Sequence, residues 1–154
     1  LFNKWDKVSA DPERNVRVVD DEREQRLPHL KWARSLYISA LTGKGCRLIM
    51  PEVLKIYSEF DKRIKTAELN NFLEAAIDAY SVPQKHHKPV KLNYMTQTRV
   101  RPPTFVIWAN TPDGVPVSYR RYLENRLRDT YGFAGTPIRV QFRQKRRSGQ
   151  EKGS

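Results

Sequence analysis

Between Leu1 and Phe60 the apolar residues come in short clusters separated by charged stretches. Leu1-Phe2, with Trp5 just behind, reads as the end of a buried strand. Asp11-Pro12-Glu13 carries helix-start chemistry, with Asp11 as N-cap and Pro12 at the first helical position. The spacing predicts a highly charged helix to about Arg26, with Val16, Val18 and Val19 its few apolar residues, ended before Pro28. Ser35-Leu36-Tyr37-Ile38-Ser39-Ala40 has the short apolar run of a buried parallel strand. After the loop Thr42-Gly43-Lys44-Gly45, the positions Leu48, Ile49, Val53, Leu54, Ile56, Tyr57 and Phe60 mark another helix, which Pro51 either kinks or starts. Strand, helix, strand, helix is an α/β order, and four elements are too few to close such a sheet.

The pattern changes after Asp61. Leu69, Phe72, Leu73, Ala76, Ile77 and Tyr80 lie on one face of a helix that Thr66 is placed to cap. A polar loop from Pro83 to Pro89 follows, then strand-like segments at Val90–Thr98 and Thr104–Asn110. Thr111-Pro112-Asp113-Gly114 is turn chemistry. Ser118 is placed to cap a helix with Tyr119, Tyr122, Leu123 and Leu127 inward and Arg120, Arg121, Glu124 and Arg128 outward. Gly132 stops that helix, and Ile138, Val140 and Phe142 alternate in a last strand at Pro137–Arg143. The second part is thus α-β-β-α-β, an α+β order distinct from the α/β start. The expected domains are residues 1–61, residues 62–145 and a basic disordered tail, 146–154.

Charge sharpens that division. Residues 1–61 hold 11 Lys/Arg and 10 Asp/Glu, whereas residues 62–154 hold 18 and 7, so nearly all of the net +12 lies in the second part. Such asymmetry points to a nucleic-acid or anionic partner there. At 154 residues and 38% hydrophobic the chain can bury a core, which excludes wholesale disorder. No apolar run reaches the ~20 residues of a membrane span, and no secretory signal pattern precedes the first elements. One cysteine, Cys46, excludes an internal disulfide and a cysteine-based zinc site. A cytoplasmic location is expected. The chain begins at Leu1 within an apparent strand, and it is expected to be cut from something longer.

Asn3-Lys4-Trp5-Asp6 matches the Asn-Lys-x-Asp pattern that reads guanine in P-loop GTPases. A carboxylate there accepts from the N1–H and exocyclic amine of guanine, donors adenine does not offer, while the Asn amide meets the purine edge and the Lys stem lies along the base. Ser39-Ala40-Leu41, at the end of the next strand-like run, is similar to the Ser-Ala-x loop whose backbone N–H meets the guanine oxygen. Both segments fall at carboxyl ends of strands, where open α/β sheets bind ligands.

Three further stretches, Arg101-Pro102-Pro103-Thr104-Phe105, Ser118-Tyr119-Arg120-Arg121-Tyr122-Leu123-Glu124-Asn125 and Gly135-Thr136-Pro137-Ile138-Arg139, resemble the C-terminal domain of the Der (EngA) family of bacterial GTPases. The resemblance covers nearly all of residues 1–145. It implies a partial, doubly wound P-loop GTPase segment over residues 1–60, followed by a KH-like α+β domain. The family has two tandem GTPase domains and acts in assembly of the large ribosomal subunit, which implies GTP or GDP, with Mg2+, as cofactors of the intact protein. The partners implied are ribosomal RNA and the remaining GTPase domains. Asn3, Lys4 and Asp6 would read guanine, with Ser39, Ala40 and Leu41 as the second guanine loop.

The departures set limits. The chain has no Gly-x-x-x-x-Gly-Lys-Ser/Thr and no Asp-x-x-Gly, so it lacks phosphate and magnesium ligands and is not expected to hydrolyse GTP by itself. Gly132-Phe133-Ala134-Gly135 fits the Gly-x-x-Gly of RNA-binding KH domains, but it joins a helix to a strand rather than two helices, and reads as a helix stop plus turn. RNA contact is therefore expected through phosphates, from Lys62, Arg63, Lys65, Arg99, Arg101, Arg120, Arg121 and Arg128. Trp5, Trp32 and Trp108, and the set Tyr119, Tyr122 and Tyr131, are expected to pack in the core. His86 and His87 are expected in a solvated loop. Two rival readings are a stand-alone RNA-binding module and a protein-docking domain.

Overall fold

Asn15, not Asp11, starts the first long helix. In a computed structural model describing residues 1–11, 13–83 and 89–144, the Asn15 side chain accepts from the Val18 N–H at 3.1 Å and caps α2 (Val16–Arg26). Asp11 instead closes a local turn by accepting from the Glu13 N–H at 3.0 Å. Both residues have the short acceptor a cap needs, and sequence alone does not choose between two such candidates four positions apart. The chain divides into two units, residues 1–60 with 133–137, and residues 61–132 with 138 onward.

In the first unit, Phe2 pairs in parallel with Tyr37, through Phe2 N–H to the Leu36 carbonyl and Ile38 N–H to the Phe2 carbonyl, both 2.8 Å. The strand expected over Ser35–Ala40 is this single bridge, because the segment that pairs with it turns at Lys4 into α1 (Trp5–Val8). Lys4 makes that turn in the left-handed region, φ 63°. A single helical turn at Cys46–Leu48 leads into α3 (Ile49–Phe60). Pro51 lies in the first turn of α3, where an absent N–H costs least. Residues 133–137 complete the unit: Phe133 N–H donates to Glu59 Oε2 at 2.6 Å, Gly135 N–H to the Trp32 carbonyl at 3.1 Å, and the Thr136 hydroxyl to the Ile56 carbonyl at 3.3 Å. Gly135 has φ +71°, and a Cβ there would lie 2.9 Å from Ile56 Cγ1, so only glycine fits.

The second unit has the expected α-β-β-α-β order: α4 (Thr66–Ala79), β1 (Leu92–Arg99), β2 (Thr104–Ala109), α5 (Val117–Tyr131) and β3 (Arg139–Gln144). Neither expected cap serves. Lys65 and Pro116 occupy the N-cap positions of α4 and α5 without side-chain caps, and Thr66 and Ser118 lie inside the first turns. β2 is central, antiparallel to β1 and parallel to β3. Leu69, Phe72, Leu73 and Ala76 of α4 and Tyr119, Leu123 and Leu127 of α5 are buried, as are Met95, Phe105 and Ile107 of the sheet. That core is mixed α/β, with helices against a three-stranded sheet. Gly132 ends α5 at φ 89°. Pro12, the pair His86 and His87, and the tail from residue 145 lie outside the described residues. Among the described residues no helix is long and apolar enough to cross a membrane.

Candidate functional site

The sharp turn at Lys4 folds the Asn3 side chain back over its own loop. Asn3 Oδ1 accepts from Lys4 N–H at 2.8 Å and from Ala40 N–H at 3.1 Å. One residue further round, Asp6 Oδ1 accepts from the Ser39 hydroxyl at 2.5 Å, and Ser39 is fully buried. Two hydrogen bonds thus tie the Asn3–Asp6 segment to the Ser39–Ala40 segment across 33 and 37 residues of chain. The second loop is closed on itself by Ser39 N–H to the Lys44 carbonyl at 2.9 Å and Thr42 N–H to Ser39 Oγ at 3.3 Å. Between the loops lies a depression of about 470 Å³ lined by Asn3, Lys4, Asp6, Lys7, Ala40 and Leu41.

Five of the six residues that the sequence singled out for guanine line this depression, and the sixth, Ser39, holds Asp6 from beneath. Neither the Asn3 amide nitrogen nor Asp6 Oδ2 has a hydrogen-bond partner among the described residues, so a donor and a carboxylate acceptor are available at the same depression. This donor set fits a purine that offers two N–H groups to a carboxylate. Leu41, 85% exposed, forms an apolar rim.

Sequence reasoning missed what aligns the two loops. The Tyr37 ring stacks on Phe2 (centroids 5.3 Å apart, 18° between planes) and packs against the buried Trp5 at 4.4 Å, so one ring braces both sides of the Asn3-Lys4 turn. Behind it, Asp20 accepts from the Ser35 hydroxyl at 2.9 Å. The Tyr37 hydroxyl interaction, with Ser35 and Arg23, holds the Asp20 carboxyl below the usual carboxylate range. Arg23 donates to the Leu30 and Ala33 carbonyls at 3.2 and 2.9 Å. The available signal was three aromatic residues, Phe2, Trp5 and Tyr37, flanking the two motifs.

The basic residues expected at RNA separate into two groups. Arg63, Lys65, Arg99 and Arg121 are exposed. Four others are committed to the second unit. Lys62 Nζ donates to the Tyr131 carbonyl at 2.7 Å. Arg101 pairs with Asp61 at 2.7 Å, holding that carboxyl low. Arg128 is half-buried beside Glu124, and burial lowers the arginine and raises the glutamate from their ordinary values. Arg120, expected outward, donates to the Val115 and Pro112 carbonyls at 3.1 and 2.8 Å and lies 4.6 Å over the Phe142 ring. Helical periodicity placed Arg120 on the polar face, but the turn before α5 folds its carbonyls back within reach of a long guanidinium stem.

Comparison with known proteins bears on the same residues. Residues 63–143 match the KH-domain-like family found at the C-terminus of EngA bacterial GTPase enzymes. The chain is 40% identical over 140 residues to a GTPase Der of Parvibaculum lavamentivorans, covering 91% of this chain and 29% of the relative. It is 42% identical over 147 residues to that of Natranaerobius thermophilus, covering 96% and 33%, and 43% identical over 148 residues to that of Thermomicrobium roseum, covering 96% and 32%. The chain therefore spans about a third of the length of these relatives. The family match spans the three-stranded unit, and the chain belongs to the EngA (Der) family of bacterial GTPases, carrying over residues 63–143 that family's C-terminal KH-like domain.

Proposed function

We propose that residues 1–61 supply the guanine-recognition part of a GTPase domain, and that residues 62–145 form a domain that contacts ribosomal RNA, in a cytoplasmic protein of large-subunit assembly. The observation that carries the first half is the pair of hydrogen bonds locking Asn3 to Ala40 and Asp6 to Ser39 around one depression. Two loops distant in sequence share a single arrangement in which an amide and a carboxylate face the same space. GTP or GDP is the ligand of this reading, with Asn3, Lys4, Asp6, Ser39, Ala40 and Leu41 against the base. The phosphates and Mg2+ would be held by the other GTPase segments of the intact protein. The sequence here offers no phosphate loop, so the chain alone binds guanine nucleotides weakly and does not turn GTP over.

Asp6→Asn tests it. The substitution replaces an acceptor by a donor opposite the exocyclic group, and xanthine carries an oxygen there. A charge-assisted pair contributes about 1.5–3 kcal/mol, so GDP affinity, followed by NMR titration of the full chain, drops about tenfold or more while xanthosine diphosphate gains. Unchanged GDP affinity with no gain for xanthine overturns guanine reading by Asp6.

The second half rests on the charge excess of residues 62–154 and on the exposed Arg63, Lys65, Arg99 and Arg121. Phosphate contact makes binding steeply salt-dependent and sequence-tolerant. Arg63→Gln with Arg121→Gln lowers the log–log salt slope by about 1.4 units on single strands, measured on ribosomal and random RNA. Undetectable binding at low salt moves the reading to a protein-docking domain.

A further inference from the structure

Successive residues of a strand point to opposite faces of its sheet, and in the second unit the two faces differ in chemistry. Gln97, on the inner face, gives its amide to the Lys62 carbonyl at 2.9 Å and accepts from Ile64 N–H at 2.8 Å just before α4. Phe142, in register with Ile107, lies under the Arg120 guanidinium of α5. This face belongs to the helices. On the other face, Tyr94 lies opposite Trp108, and Trp108 opposite Arg143. The Tyr94 and Trp108 rings run parallel, 10° between planes with centroids 6.0 Å apart, and Tyr94 is 40% exposed. On β3 the same face presents Arg139, Gln141 and Arg143, all exposed, with Arg143 donating to Gln141 at 3.0 Å. None of the strand residues facing this way is acidic.

We propose that this face of the sheet is a stacking platform for unpaired nucleotides of single-stranded RNA, with Tyr94 and Trp108 receiving bases and Arg139 and Arg143 receiving phosphates. The proposal rests on the RNA reading above and gives it a location. Aromatic rings accept any base face, and flanking cations hold the strand's backbone. Arg139 and Arg143 are about 13 Å apart along β3, which spans a short stretch of extended strand. The Gly132–Gly135 loop, the other place where a KH-type domain would meet RNA, has its Phe133 and Gly135 N–H groups already donated to Glu59 and the Trp32 carbonyl. Those amides are not available to clamp a phosphate backbone. Trp108, expected to pack in the core, is half-buried on this outer face, beside the buried Thr104 and Val106 of the same strand.

The full chain is titrated at low salt with a 12-nucleotide uridine RNA and with the same backbone lacking bases, in wild type, Tyr94→Phe and Tyr94→Ala. Stacking predicts at least tenfold weaker binding of the abasic strand by wild type and Tyr94→Phe, and loss of most of that preference in Tyr94→Ala. Tyr94→Phe keeps the ring, and a thermal melt of each variant separates lost stacking from lost fold. Arg139→Gln with Arg143→Gln lowers the salt slope by about 1.4 units while the base preference persists. Equal affinity for the two strands overturns the platform and leaves RNA binding standing. A base preference unchanged in a folded Tyr94→Ala also overturns it. Binding of neither strand overturns the platform and the RNA reading together.

Discussion

Tyr119 is completely buried, and its hydroxyl donates to the Tyr80 carbonyl at 2.8 Å. Burial, with the neighbouring phenols of Tyr122 and Tyr80, pushes its pKa up to about 12. The consequence for stability has a definite sign. Below pH 10 the phenol is protonated in both folded and unfolded chains, so its contribution is complete. Between about pH 10 and 12 only the unfolded chain releases the proton, and stability falls as pH rises. Tyr119→Phe removes that part of the alkaline loss and costs about 1–2 kcal/mol at neutral pH, because the Tyr80 carbonyl loses its donor. Tyr37 and Tyr131, also raised by burial, retain a share of the slope. Urea midpoints from pH 8 to 12 check this, and equal slopes for variant and wild type would refute it. Juxtaposition was legible at this scale: Asn3, Asp6, Ser39 and Ala40, singled out as two separate motifs, are hydrogen-bonded to one another. Arg120 was not, since helix periodicity says which way a Cβ points and nothing about where a guanidinium ends.

Elements were legible in number and order, less so at their ends. Five of the six apolar positions that mark α4 are buried or half-buried in the structure, because a 3.6-residue repeat is read directly from the chain. Starts were misplaced at α2, α4 and α5, where a Ser, Thr or Asp stood near the right place and no side chain, or a different one, made the cap. The expected strand at Ser35–Ala40 shrank to one bridge because strand length depends on a partner that local pattern does not contain. The loop after it carries a testable asymmetry. Gly43 and Gly45 both have φ +76°, but a Cβ on Gly43 meets nothing within 4 Å, whereas one on Gly45 would sit 2.5 Å from the Tyr37 carbonyl oxygen. Gly43→Ala therefore costs only left-handed strain, about 1–2 kcal/mol. Gly45→Ala costs that strain and displaces the Tyr37 backbone, so it exceeds Gly43→Ala by about 1 kcal/mol or more and loosens the Ser39–Asp6 bond. Urea midpoints at a common m-value, with the Ser39 amide followed by NMR, measure both effects. Equal losses would show that Tyr37 yields freely.

For the molecule as a whole, the pattern of α3 was legible in the sequence, while what surrounds it was not. Leu48, Val53 and Leu54 helped mark this helix in the sequence, yet Leu48 is 49%, Val53 49% and Leu54 63% exposed, with Met50 beside them at 62%. Periodicity identifies residues that share a face; what covers that face is a property of the rest of the chain. An exposed apolar stripe on a helix favours association, while a net charge of +12 opposes it through self-repulsion. The balance is set by salt, since the screening length falls from about 10 Å at 0.1 M to about 3 Å at 1 M. The 154-residue chain should thus be monomeric at low ionic strength and self-associate as salt rises, the direction opposite to its RNA affinity. Leu54→Glu interrupts the stripe at a side chain that buries little, so it changes stability by under about 0.5 kcal/mol and keeps the chain monomeric at salt concentrations where wild type associates. Sedimentation velocity across a salt series at several protein concentrations decides it. A wild type that stays monomeric throughout, or a Leu54→Glu chain that associates equally, would mean that the α3 stripe does not drive contact between molecules.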